Sequence, residues 1–123
     1  MSFEKGLSLC MVAHRLDFPV YGGMELPEIL EFHEPHVDEI ILSDTSPDGV
    51  VSEATKDLYP GKLHVSRYPG ELEPPDLGAF RNHTLEQAQY SWVMVLDPDE
   101  TVRDWGVVRD VVNKDPSEQY YLK

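Results

Sequence analysis

Residues 93–100 read VMVLDPDE, four apolar residues that run directly into Asp97, Asp99 and Glu100. Carboxylates brought this close repel one another, so the arrangement is costly unless a positive charge sits among them. In extended backbone, residues i and i+2 point the same way. Asp97 and Asp99 are therefore expected to share a cation, with Pro98 stiffening the turn between them. Carboxylate and water are hard ligands suited to Mg²⁺ or Mn²⁺. Two carboxylates do not fill an octahedral shell, and substrate phosphate oxygens naturally take the remaining places. The local chemistry is that of a metal-bridged diphosphate. The competing reading is an acidic surface turn, which a chain with 23 acidic and 10 basic residues also supplies.

The elements that must position these groups alternate along the chain. Leu7 to Ala13 is an apolar run broken only by Ser8, as in a strand buried on both faces, and His14-Arg15 ends it. Residues 16–25 hold Pro19, Gly22 and Gly23 and read as a loop. Leu26, Ile29, Leu30 and Val37 mark a short helix, with Pro27 near its start and Pro35 expected to end it. Residues 39–43 form a second strand that runs into the turn formers DTSPDG. Residues 50–59 read as a helix stopped by Pro60-Gly61, and 62–67 as a third strand. The segment YPGELEPPDLG, residues 68–78, reads as an ordered loop or lid. A helix opened by Gly78, a fourth strand at 92–96, a helix through Val107–Val112 and a fifth strand at Tyr120–Leu122 complete the series. This is the pattern of a single α/β domain, a Rossmann-like three-layer arrangement with a mostly parallel sheet. Ligands of such sheets sit beyond the carboxyl ends of the strands. Here those ends carry His14-Arg15, Asp44 and Asp97-Pro98-Asp99-Glu100.

The formal net charge of −13 argues against partners that are polyanions, whether nucleic acid or an anionic membrane surface. Cys10 is the only cysteine, so no internal disulfide is expected, and its apolar surroundings read as core. No stretch approaches the roughly 20 apolar residues of a membrane span, and MSFEKGLS lacks the apolar core of a signal peptide. The expected setting is cytoplasmic. Bland readings stand beside the chemical ones: Asp44 as a turn or helix cap, Arg81 as a solvated helix residue paired with an acid such as Glu86, and His14, His33, His36 and His83 as structural histidines.

In their order, LSLCMVAHR, VDEIILSDTSPDG and GAFRNHTLEQAQYSWVMVLDPDE resemble the glycosyltransferase family 2 nucleotide-binding domain of GT-A fold, over about residues 7–102. The last piece is the most specific, similar to that family's Ala-Arg-Asn helix start followed by a strand and the Asp-x-Asp motif. The resemblance implies a metal-dependent enzyme that transfers sugar, with inversion, from a nucleotide-sugar, a UDP-sugar above all, to an acceptor the sequence does not name. It implies that the backbone around Val12, Ala13 and His14, continuing to Arg15, lines the base. Asp44 would accept from base or ribose, Arg81 would meet the nucleotide or its phosphates, Asp97 would lie near ribose or metal, and Asp99 would be the principal ligand of Mn²⁺ or Mg²⁺. Arg15, Arg67 and Arg103 also have the reach for phosphate.

Two features depart from the family pattern. His14-Arg15-Leu16 stands where a polar Asn-Glu pair is common. Only residues 101–123 follow Glu100, where family members continue into an acceptor site with a general base. No carboxylate of that tail is assignable as the base, and Glu100 is a candidate by adjacency alone. The chain therefore reads as a compact enzyme completed by a second subunit, as a donor-binding module without catalysis, or as a fragment. A nucleotidyltransferase is a further alternative, and pairing of an outermost fifth strand would give a homo-oligomer.

Overall fold

The computed structural model describes residues 4–17, 25–46, 48–67, 84–100, 102, 104–113 and 120–122, with residues 4 and 120–122 described by backbone alone. Five strands, β1 (Glu4–Ala13), β2 (Glu39–Asp44), β3 (Leu63–Arg67), β4 (Tyr90–Val95) and β5 (Tyr120–Leu122), form one sheet in the order β3-β2-β1-β4-β5. All four pairings are parallel. Among the described residues, the helices described in full are α1 (Leu26–His33), α2 (Val50–Thr55) and α3 (Trp105–Val112), with a 3-10 turn at Glu34–His36. The domain is a Rossmann-like α/β fold, as the alternation of elements requires.

The apolar run of β1 is explained by burial on both faces. Leu7, Leu9, Met11 and Ala13 pack with Leu26, Ile29 and Leu30 of α1, Val51 of α2, and Trp105 and Val112 of α3. Cys10 faces the other way and packs with Ile41, Val93 and Ala88, flanked by Leu85 and Val95. Each buried Leu or Ile contributes about 1.5–3 kcal/mol of transfer free energy, so this central strand organises both layers.

Several boundaries differ from the sequence expectation for local reasons. β1 begins earlier, at Glu4, and its register against β4 shifts between Glu4 and Leu7. The shift contains Gly6 at φ +154°, a bulge conformation open to glycine. Helix α1 opens with Pro27 in its first turn and a capping box between Glu25 and Glu28. The α-helix ends at His33, ahead of Pro35, as expected, and only a 3-10 turn passes through Pro35. That proline sits in the first turn of the 3-10 segment, where no amide hydrogen is needed. Helix α2 stops at Thr55, four residues short of the expected Tyr59. The Thr55 hydroxyl bonds back to the Val51 carbonyl at 2.7 Å, and Leu58 and Tyr59 reach the core from turns. The helix expected from Gly78 is described only at residues 84–85. Among the described residues, no helix is long and apolar enough to cross a membrane.

At the amino ends of the strands, polar side chains lock the layers together. Glu39, 2% exposed, accepts from Ser8 Oγ at 2.6 Å and Gln89 N–H at 2.7 Å, with His64 Nε2 3.8 Å from its other oxygen. Asp38 accepts from Leu7 N–H at 2.8 Å and from Arg109 of α3 at 3.0 Å.

Candidate functional site

Strand register decides which candidate groups can meet. Ala13 at the tip of β1 pairs with Asp44 at the tip of β2, which in turn pairs with Arg67 at the tip of β3. On the other flank, Cys10 pairs with Val95, and Leu96 N–H donates to the Cys10 carbonyl at 3.1 Å. The turn that carries Asp97, Asp99 and Glu100 thus starts beside the last residues of β1. From β1 the chain builds β2 and β3 on one side, then crosses back to place β4 on the other. That reversal is the topological switch at which open parallel sheets leave a crevice. The acidic turn and the 12–15 segment sit at its two lips.

Asp44 is 1% exposed and fully committed to its own loop. Its Oδ1 accepts from the backbone N–H and the hydroxyl of Ser46, and its Oδ2 from the backbone N–H and hydroxyl of Ser52. Gly49, the N-cap of α2, has no side chain to offer. The first amides of the helix find other acceptors: Val50 N–H reaches Asp48 at 3.3 Å, Val51 N–H reaches Ser46 Oγ at 3.4 Å, and Ser52 N–H reaches Asp44 at 3.0 Å. Burial alone raises the proton affinity of Asp44, but the hydrogen bonds from Ser46 and Ser52 outweigh it and hold the carboxyl below its ordinary value. The cap-like role, rather than an exposed acceptor for a base or ribose, is the one these contacts describe.

The neighbouring positions follow the same logic. The Ala13 carbonyl accepts from Thr45 N–H at 2.9 Å and from the Thr45 hydroxyl at 3.2 Å, so the β2–α2 loop is laced to the tip of β1. Val12 is half-buried, whereas His14 and Arg15 are exposed at the lip. Arg67, which sequence alone did not place, donates to the Ser46 carbonyl at 2.6 Å, and its guanidinium lies over Gly49. Gly49 adopts φ +75°. Gly49→Ala is expected to cost about 1 kcal/mol, chiefly for the left-handed backbone, because the exposed Arg67 head can swing away from the new methyl. Urea denaturation checks this, and a neutral result would show that the loop relaxes out of that conformation.

Residues 97–100 do not continue the strand. Glu100 N–H donates to the Asp97 carbonyl at 2.9 Å, closing a β-turn with Asp97 at its first position and Pro98 at its second, both favoured there. The two-residue alternation that was expected to aim Asp97 and Asp99 together therefore stops at Leu96. The Glu100 carboxylate accepts from Asp97 N–H at 2.8 Å and so braces the turn. Asp97 is half-buried and Asp99 exposed. Both offer only carboxylate oxygen, the hard donor type that Mg²⁺ or Mn²⁺ takes. Among the described residues no group of three or more His, Cys, Asp or Glu is placed to hold a metal. Arg81, Asn82, His83 and Arg103 lie outside the described residues. Cys10 is buried, and that burial, with a smaller effect from the charge of Glu39, pushes its thiol up to about 12. Burial and that upward shift both disfavour the thiolate that a nucleophile needs.

The fold and crevice define a Rossmann-like α/β domain with an acidic turn at its switch point. Comparison with known protein families, with curated proteins and with solved structures finds no significant match.

Proposed function

We propose that the chain is a nucleotide-sugar-binding domain of GT-A type that acts as a metal-dependent glycosyltransferase. The observation that supports this reading best is the placement of the 97–100 turn beside the tip of β1, at the switch in strand order. Asp99, exposed on that turn, and Asp97 behind it would hold Mn²⁺ or Mg²⁺. The ion supplies Lewis-acid neutralisation of the diphosphate leaving group. The backbone of residues 12–15 would border the base, with Arg15 at the lip for phosphate and Arg81 as a further contact implied by the resemblance. Asp44 acts through the loop it orders, not by touching the donor.

A donor-binding module without its own acceptor half is the second reading. It is favoured by the engagement of Glu100, which braces its turn and is not presented as a general base. Calorimetry with UDP, with and without Mn²⁺, tests donor binding. Asp99→Ala is expected to abolish the Mn²⁺-dependent part of UDP affinity while leaving the melting temperature unchanged, since Asp99 is exposed. Equal Mn²⁺-dependent binding by wild type and variant would overturn the metal role. UDP release on adding acceptor, or slow hydrolysis without one, distinguishes the enzyme from the module. Pyrophosphate release would indicate a nucleotidyltransferase instead.

A further inference from the structure

The least ordinary buried group is His33, at the end of α1. It is 0% exposed, and among the described residues neither ring nitrogen has a hydrogen-bond partner. Its surroundings are aromatic. The Phe32 ring stands edge-on at 5.3 Å and the Trp105 ring edge-on at 5.6 Å, while His36 stacks on Trp105 at 5.1 Å and 9°. Trp105 is the first residue of α3, so this nest is where α3 docks on α1.

We propose that His33 is a proton-operated latch on α3: the neutral imidazole keeps the first turn of the helix docked, and protonation releases it. An imidazole can be buried without partners at modest cost only while uncharged. The charged form brings a full positive charge into an apolar site and needs two acceptors, which the described residues of the nest do not provide. Among the described residues, the charged groups nearby offer no relief. His36, from the 3-10 turn, opposes a second positive charge. Arg109 of α3 donates to the His36 carbonyl at 3.4 Å and to Asp38 at 3.0 Å, so that carboxylate is already paired. Glu34 is paired with Lys62 at 3.1 Å. Burial first, and His36 second, lower the His33 pKa from 6.5 to about 4. Opening lets the ring recover its ordinary value, so acid favours the open form.

The segment 97–104 joins β4 to α3 and carries Asp97 and Asp99. The inference concerns the docking of α3 and does not require the nucleotide reading to hold.

Amide hydrogen exchange of residues 105–112 in the ligand-free protein, corrected for the intrinsic pH dependence of exchange, is the test. With the two pKa values above, linkage multiplies the open population about 40-fold between pH 6.5 and pH 4.5. Amides of β1 and β2 should change far less over that range. In His33→Leu, which fills a similar volume without a titratable group, the acceleration should fall to within about 3-fold. Equal acceleration in wild type and His33→Leu would overturn the latch. If the variant does not fold, the His33 ring resonance of the wild type decides: titration near 4 supports the latch, and titration near 6.5 overturns it.

Discussion

Gly6→Ala is expected to lower the stability of the domain by about 3 kcal/mol, or roughly 10–15 °C in melting temperature. Two independent costs add. The first is conformational: at φ +154° the backbone occupies a region closed to residues with a Cβ, at about 1–3 kcal/mol. The second is steric. An added Cβ would lie 2.5 Å from Cδ1 of Tyr90 and 2.7 Å from Oδ2 of Asp38. Neither neighbour can simply step aside. That Asp38 oxygen is held by both Leu7 N–H and Arg109, and Tyr90 opens β4 beside the central strand. Gly49→Ala is the internal control, since its close neighbour is only the far end of Arg67. The expected order of loss is therefore Gly6→Ala well above Gly49→Ala, read from urea midpoints at constant slope. A Gly6→Ala loss no larger than that of Gly49→Ala would mean that the bulge can move along β1 without cost.

The strands were legible because their residues have one overriding task. A strand buried on both faces must be almost wholly apolar, and Leu7–Ala13 is, save for Ser8; the parallel sheet follows from helices falling between such runs. The positions of the candidate ligands along the strand tips were legible for the same reason. What each carboxylate does there was not. Asp44 ends a strand, Glu100 closes the turn after one and Asp104 precedes a helix, positions where the same side chain serves equally as ligand acceptor or as acceptor for orphan amides. Asp104 is an N-cap, accepting from Gly106 and Val107 N–H, and Glu100 closes its turn. For Asp44 a local signal did exist: Ser46 two residues on is an Asx-turn spacing. The partnership with Ser52, which completes the saturation, depends on how α2 folds back. Glu39 and His33 were illegible for a different reason. Their burial is decided by long-range packing, against Ser8 and Gln89 in one case and Trp105 in the other, and local sequence polarity predicts the opposite.

Asp44→Ala should cost about 3 kcal/mol, because charge-assisted hydrogen bonds of this kind contribute about 1.5–3 kcal/mol and their loss leaves buried donors unmet. Those donors are the amides of Ser46 and Ser52 and their hydroxyls. Asp44→Asn keeps the shape but replaces one acceptor oxygen with an NH₂ facing donors, so it should recover only part of the loss. The pH dependence identifies the cause. Because the folded carboxyl titrates below its ordinary 3.8, there is a range in which the unfolded chain binds a proton and the folded chain does not. The contribution of Asp44 is complete above 3.8 and disappears as pH falls through the lower folded value. The stability gap between wild type and Asp44→Asn should therefore be constant at neutral pH and narrow in acid. This window lies below that of His33, whose neutral form loses ground from pH 6.5 towards about 4, so the two groups separate in one titration. A gap that stays constant down to pH 2 would show that the Asp44 charge is not what orders the β2–α2 loop. Ligand binding then becomes interpretable. If the proposed nucleotide binding is found and Asp44 serves the crevice only through its loop, that affinity in Asp44→Asn should be lost no faster than the order of residues 45–52, as followed by their amide exchange. An affinity lost while that loop stays protected would place the carboxylate against the ligand after all.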